Sequence, residues 1–263
     1  MFEFSNEDII YVKGKEIEYI KFKILEKYNV KNCYTLKGEN IDFSFNSEFE
    51  KASYSKISNE LGICEKNLVK PIQTHTDIIK CIDRVYNSEE LKDVDGLITD
   101  KKDIALTSKN ADCILFLFYD PVKKVIANVH SGWKGTFKKI AEKTVVKMIN
   151  YYKCNPEDII CCICPSIRKC HFEVDESVKT LCEEIFGFTN RTNEFIKKGD
   201  IKDSKQKFFI DTVLINKILL YNIGLNEKNI IDSNICSVCS CEKINSYRIE
   251  GENFRRATAI ISL

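Results

Sequence analysis

The chain has 263 residues, 44% hydrophobic and 30% charged, enough to bury one large α/β core or two small ones, and a single domain over 1–263 is the expectation. Forty Lys plus Arg against thirty-nine Asp plus Glu leave a formal net charge of +1. That excludes a global field toward nucleic acid or an anionic membrane, so any anionic ligand must be gripped locally.

Residues 1–8 show no basic stretch followed by an apolar one, so they do not read as a secretion signal. The longest apolar run, 113–119, falls far short of the roughly 20 residues of a membrane-spanning helix. The expected location is the cytoplasm, where the thirteen cysteines read as reduced thiols, several packing as small hydrophobes.

Apolar residues at helical spacing mark 17–27 as a helix, and a run with aromatic character marks 32–36 as a strand. A helix over 48–61 follows, then short strands over 69–73, 78–82, 104–107, 114–119 and 125–129. Asp120-Pro121 with Lys123 and Lys124 punctuates a hairpin-like turn between the last two. Helix 136–151, strand 159–163 and helix 177–186 come next, and the polar stretch 197–207 reads as an exposed loop. Strand 208–211, helix 212–221 and a closing strand over 257–263 complete the order. There is no internal repeat, and the alternation predicts an α/β fold: a single-domain layered α/β/α arrangement around a mixed sheet.

Three short segments each carry one metal donor beside small polar residues: Gln73-Thr74-His75-Thr76, Asn110-Ala111-Asp112-Cys113 and His130-Ser131-Gly132-Trp133-Lys134-Gly135. Two of the chain's three histidines sit here, at strand ends or turns. If strands 114–119 and 125–129 pair antiparallel, Cys113 and His130 fall at the same end. Neighbouring strands about 4.8 Å apart suit ligands about 2.0–2.3 Å from one zinc ion. His75 must arrive from another segment. Two His and one Cys leave a tetrahedral metal one open position, as a catalytic zinc requires and a closed structural one does not. Copper is the alternative ion, since two nitrogens and a sulfur also bind it tightly.

Gly132 and Gly135 let backbone approach a ligand, and the turn leads into the helix expected from 136. Its free N–H groups and Lys134 would make an anion site with phosphate as guest. Arg248 and Arg256, near the last strand, supply guanidinium forks for phosphate or carboxylate. The third histidine, in His171-Phe172-Glu173, has the H-x-E of zinc deaminases, with Cys236-Ser237-Val238-Cys239 as a later C-x-x-C. Ile235 stands where that signature needs proline, so His171 is expected instead as a pocket or packing residue.

Cys161, Cys162, Cys164 and Cys170 match no common metal-ligand spacing. Adjacent Cys161 and Cys162 on a strand would also point to opposite faces. Cys236, Cys239 and Cys241 would need a fourth ligand to clip a metal. Both groups are expected to be reduced core thiols.

Taken together these residues resemble the laccase-domain family, once called multicopper polyphenol oxidases and now regarded as purine nucleoside phosphorylases with adenosine deaminase activity. The resemblance rests on Gln73-Thr74-His75, Asp95-Gly96-Leu97-Ile98-Thr99, Ala111-Asp112-Cys113, His130-Ser131-Gly132-Trp133-Lys134-Gly135, Cys164-Pro165-Ser166-Ile167 with Phe172-Glu173-Val174, Asp211, Cys236-Ser237-Val238-Cys239, Ser246-Tyr247-Arg248 and Arg256. It implies zinc on His75, Cys113 and His130, with a purine nucleoside and phosphate as small-molecule partners. For such substrates the candidate contacts are Lys134, Arg248, Arg256 and His171, with Asp112, next to Cys113, as a proton carrier or as the partner that orients a ligand. A monomer or small homo-oligomer is expected. The chain departs from the family pattern at Thr35-Leu36-Lys37-Gly38-Glu39, where a Thr-Arg-x-Gly-Gly segment is usual, and at Arg255, where glycine is common.

Two other chemistries compete. Cys113 as thiolate with His130 as base would make a metal-free cysteine hydrolase or deamidase, for which His75 is dispensable. Multicopper oxidation needs several His-rich clusters, and three histidines cannot build them. A non-enzymatic binding protein would hold zinc or nucleoside without turnover.

Overall fold

The computed structural model describes residues 4–263; Met1, Phe2 and Glu3, part of the stretch read above for a secretion signal, lie outside the described residues. The chain opens with β1 (Ile9–Lys13), β2 (Glu18–Phe22), α1 (Lys23–Glu26), β3 (Lys31–Thr35), α2 (Glu50–Leu61), β4 (Leu68–Val69) and β5 (Ile79–Cys81). Its middle comprises β6 (Gly96–Thr99), β7 (Ala105–Asn110), β8 (Ile114–Asp120), β9 (Val125–Ser131), α3 (Trp133–Phe137), α4 (Ile140–Tyr152) and β10 (Ile160–Ile163). There follow β11 (Glu173–Asp175), α5 (Glu176–Phe186), α6 (Thr192–Phe195), β12 (Ile196–Lys202), β13 (Lys205–Ile210), α7 (Thr212–Asn222), β14 (Ile230–Asp232), α8 (Tyr247–Glu250) and β15 (Ala257–Ser262).

The α/β class and the mixed pairing agree with the expectation, but the strands divide between two six-stranded sheets where the sequence suggested one. The first runs β1, β2, β3, β15, β7, β4 and the second β14, β10, β8, β9, β6, β5; a three-stranded sheet of β11, β13 and β12 stands apart. Every residue of β8 and β9 is buried. Alternation explains how: Leu115, Leu117 and Tyr119 join Tyr34, Leu106 and Ala259 of the first sheet in one core, while Phe116 and Phe118 point the other way, onto Ile140, Val145 and Met148 of α4. On the far side of the first sheet, Tyr54, Ile57 and Leu61 of α2 pack on Tyr19, Cys33 and Ile260. The layers are therefore helix, sheet, sheet, helix. Each large side chain buried this way stabilises the fold by about 1.5–3 kcal/mol.

Three expectations are corrected. Residues expected as a helix over 17–27 form β2 and only four residues of α1; Ile20 and Phe22 are buried at strand spacing, and β2 pairs with both β1 and β3. The helix expected over 136–151 is two: five-residue α3, then α4 from Ile140, broken where Lys139 takes a left-handed φ of 59°. The expected loop 197–207 is the hairpin of β12 and β13, turned by Asp203 and Ser204 at φ 48° and 58°. Backbone pairing makes that ladder, so its polar side chains gave no apolar alternation to read. Among the described residues no helix is long and apolar enough to cross a membrane.

Candidate metal centre and its cavity

The antiparallel register of β8 and β9 pairs Leu115 with His130 and Ile114 with Ser131. Cys113, one residue before β8, thus sits beside the end of β9, as the hairpin reading required. The turn ahead of it is held by Asn110, whose amide donates to the carbonyls of Cys113 (2.5 Å) and Pro165 (3.1 Å). Asp112 turns the chain at φ 83°, a region that Asp tolerates better than most residues. Gln73 bridges the neighbouring segment to β7: its amide nitrogen donates to the Lys109 carbonyl (2.9 Å) and its oxygen accepts from the Lys109 N–H (2.8 Å). This brings His75, at φ 64°, over the hairpin end.

The three donors converge. Cys113 Sγ lies 3.7 Å from His75 Nε2, and the His75 and His130 rings meet edge-on with centroids 4.9 Å apart. One ligand atom from each of the three lies within 4.8 Å of the others. A tetrahedral zinc would separate a sulfur and a nitrogen ligand by about 3.5–3.6 Å, so the donor set fits the ion.

Asp95, on the segment entering β6, ties the two histidines together. Its buried carboxylate accepts from His130 Nδ1 (2.7 Å), from the His75 N–H (3.2 Å) and from the N–H and hydroxyl of Thr76 (2.8 and 2.7 Å). With Nδ1 donating to Asp95, the other ring nitrogen of His130 keeps its lone pair for a ligand position. Burial pushes the Asp95 carboxyl up, but its hydrogen bonds from His130 and Thr76 overrule this and hold it below the usual range. Burial likewise pushes the Cys113 thiol up, and the adjoining His130 and His75 rings bring it down to about 6. His130 is lowered by burial, yet the Cys113 thiolate and Asp95 raise it to about 9.

All three donors line a cavity of about 520 Å³ with Phe45, Trp133, Phe172, Tyr247 and Phe254 as aromatic walls and Lys109, Arg248 and Arg256 as cations. Burial brings the Lys109 ammonium down to about 8, against the pull of Glu50, 3.8 Å away. Arg248 also donates through its guanidinium to the carbonyls of His171 and Glu173, each at 3.2 Å. The Asp112 carboxylate accepts from Ser237 and Ser246 hydroxyls (2.5 and 2.7 Å) and from the Arg248 N–H (2.7 Å), pinning the two loops that carry those residues.

Two expected substrate contacts stand elsewhere. Lys134 is exposed, its ammonium 5.7 Å over the Trp133 ring and outside the cavity lining, because α3 begins at Trp133, three residues before the expected start, and Lys134 falls inside its first turn. His171 lies against Cys170, Cys236 and Cys239 rather than in the cavity. Conversely, sequence reasoning assigned no role to Asp95 or Lys109. Asp95 carried a signal in its Asp-Gly motif; Lys109, the last residue but one of β7, stands among the polar Thr107, Ser108 and Asn110 and carried none.

The fold and the three convergent donors define the class: a mixed α/β protein with a metal-ready pocket at a hairpin end. Residues 45–263 match the family described as multi-copper polyphenol oxidoreductase laccase, and the chain belongs to that family. A Clostridium acetobutylicum protein named purine nucleoside phosphorylase is 32% identical over 92% of this chain and 96% of its own length. A Mus musculus protein of the same name is 33% identical over 68% of this chain, which spans only 40% of that relative. In fold, the chain is similar to the hypothetical protein YfiH of Bacillus licheniformis, with a TM-score of 0.83 at 24% identity over 96% of this chain and 98% of that one. YlmD of Geobacillus stearothermophilus aligns with a TM-score of 0.81 at 19% identity over 97% and 98%.

Proposed function

We propose that this chain is a zinc-dependent purine nucleoside phosphorylase acting on adenosine, inosine and related nucleosides, with adenosine deaminase activity. The observation that carries the reading is the convergence of His75, Cys113 and His130 on one cavity; the activity comes from the names of its relatives. The reading places the enzyme in the cytoplasm with a nucleoside and phosphate, or water, as reactants.

Bound by His75, Cys113 and His130, zinc would supply a Lewis acid able to bring the pKa of water toward about 7. The chain's own residues do the rest. Phe45, Phe172, Tyr247 and Phe254 offer faces on which a purine ring stacks and exclude water. Arg256, Lys109 and Arg248 supply the positive charge that holds phosphate in line with the ribose carbon. In phosphorolysis a phosphate oxygen bonds to C1′ as the C1′–N9 bond breaks, and the purine leaves with the electron pair and takes up a proton. In deamination a water oxygen adds at C6 and the amino group departs as ammonia. Asp95 acts at neither atom; it fixes the tautomer and angle of His130.

The test is turnover of adenosine and inosine with and without phosphate, on wild type and His75→Ala. Phosphate-dependent release of free base that His75→Ala abolishes supports the reading. A second reading is favoured by the mutual effect of this pair: the His130 ring lowers the Cys113 thiol and the thiolate raises His130, the direction toward the thiolate and imidazolium that a cysteine hydrolase uses. That reading predicts activity that survives His75→Ala.

A further inference from the structure

Outside the cavity, Cys170 and His171 meet the Cys236-x-x-Cys239 loop, and their four ligand atoms lie within 4.8 Å of one another. The separations are those of a coordination shell. Cys170 Sγ lies 3.6 Å from Cys236 Sγ and 3.9 Å from Cys239 Sγ. His171 Nδ1 lies 3.2, 3.6 and 3.5 Å from the sulfurs of Cys170, Cys236 and Cys239. Tetrahedral zinc with bonds of about 2.3 Å to sulfur and 2.0–2.1 Å to nitrogen sets its ligands about 3.8 Å apart for two sulfurs and about 3.6 Å for sulfur and nitrogen. Core packing does not explain the cluster, because Cys170 and Cys239 are exposed, unlike Cys161, Cys162 and Cys164, which are buried core thiols. Backbone N–H groups of Cys239 and Arg168 also point at the Cys236 sulfur, an outer shell that suits a thiolate.

We infer that Cys170, His171, Cys236 and Cys239 form a second, structural zinc site, closed by its Cys3His set and separate from the proposed catalytic one. The sequence suggested Cys236, Cys239 and Cys241 without a fourth ligand; the fold leaves Cys241 out of the cluster and supplies Cys170 and His171 from a loop far away in the chain. On loading, the three thiol protons pass to solvent and His171 binds through Nδ1. The ion staples two walls of the cavity: His171 and Glu173 hold Arg248 from one side, and Ser237, inside the C-x-x-C, holds Asp112 from the other.

The experiment counts zinc in the full-length His75→Ala/Cys113→Ala double variant, which lacks the first set of ligands. About one zinc per chain should remain, Cys239→Ser added to it should remove that ion, and Cys239→His should retain it. Cobalt loaded into the double variant should give the intense visible bands of a tetrahedral site with thiolate charge transfer. A double variant that folds but holds no metal overturns the inference. So does a disulfide from Cys170 to Cys236 or Cys239 in protein purified anaerobically. A wild type with one zinc that survives the double substitution would keep this site and refute the cavity site instead.

Discussion

Gly132 has ordinary backbone angles, φ −69° and ψ 178°, so space and not conformation explains the glycine. A Cβ there would stand 2.6 Å from His75 Cδ2 and 3.1 Å from Cys113 Sγ. Gly132→Ala is therefore expected to push the His75 ring off its position and lower zinc affinity at least tenfold with little loss of fold stability; unchanged affinity in a chelator competition would contradict this. Asp95→Asn keeps an acceptor for His130 but removes the charge, and zinc affinity should fall about 10- to 100-fold, the usual effect of losing an outer-shell partner. Equal affinities for variant and wild type would remove Asp95 from the site. At this scale the three donors were legible because each stood in a short polar segment at a strand end. Asp95 was legible only as part of its Asp-Gly motif and not in its role, since a carboxylate that gathers hydrogen bonds from separate groups has no local pattern, and Lys134 misled because a lysine beside glycines looks the same whether it faces a cavity or solvent.

The hairpin of β8 and β9 was the element most plainly written in the chain, two apolar runs around Asp120-Pro121, and it alone placed two of the three donors. Elements without a polar face set against an apolar one were misread: β2, buried on both sides through Tyr19 and through Ile20 with Phe22, as helix, and the polar β12 and β13 ladder as loop. The parallel pair of β10 and β14 shows how such short strands are secured. Asp232, at the end of β14, bonds Arg168 at 2.9 Å and Lys217 at 2.7 Å while nearly buried. Burial pushes its carboxyl up, but both cations overrule this and hold it low. Its stabilisation is thus whole above about pH 4, near the usual carboxylate value of an unfolded chain, and is lost as pH falls through the lower value of the folded state. Asp232→Ala should cost about 3 kcal/mol at neutral pH by leaving the cations unpaired, roughly 6–12 °C in Tm for a chain of this size. The gap between variant and wild type should narrow in acid; a gap unchanged down to about pH 2 would mean packing and not charge.

Across the whole molecule, the near-zero net charge leaves anion binding to local cations, and Lys109, Arg248 and Arg256 gather at one cavity. The α/β class followed from the alternation of elements, but the division into two sheets did not, because it depends on β15, the last strand, entering between β3 and β7. No local pattern encodes so distant a partner. The same long-range closure brings Arg256 and the Tyr247-Arg248 loop to the hairpin end where His75, Cys113 and His130 meet.

The most direct test of that meeting point is zinc content measured alongside phosphate-dependent cleavage of inosine, for wild type and Cys113→Ala. Loss of one zinc per chain together with phosphorolysis, relative to wild type, is the expected result. A variant that keeps the full metal content of wild type, or a wild type that cleaves inosine equally well after complete removal of metal, would contradict a metal-dependent site at His75, Cys113 and His130.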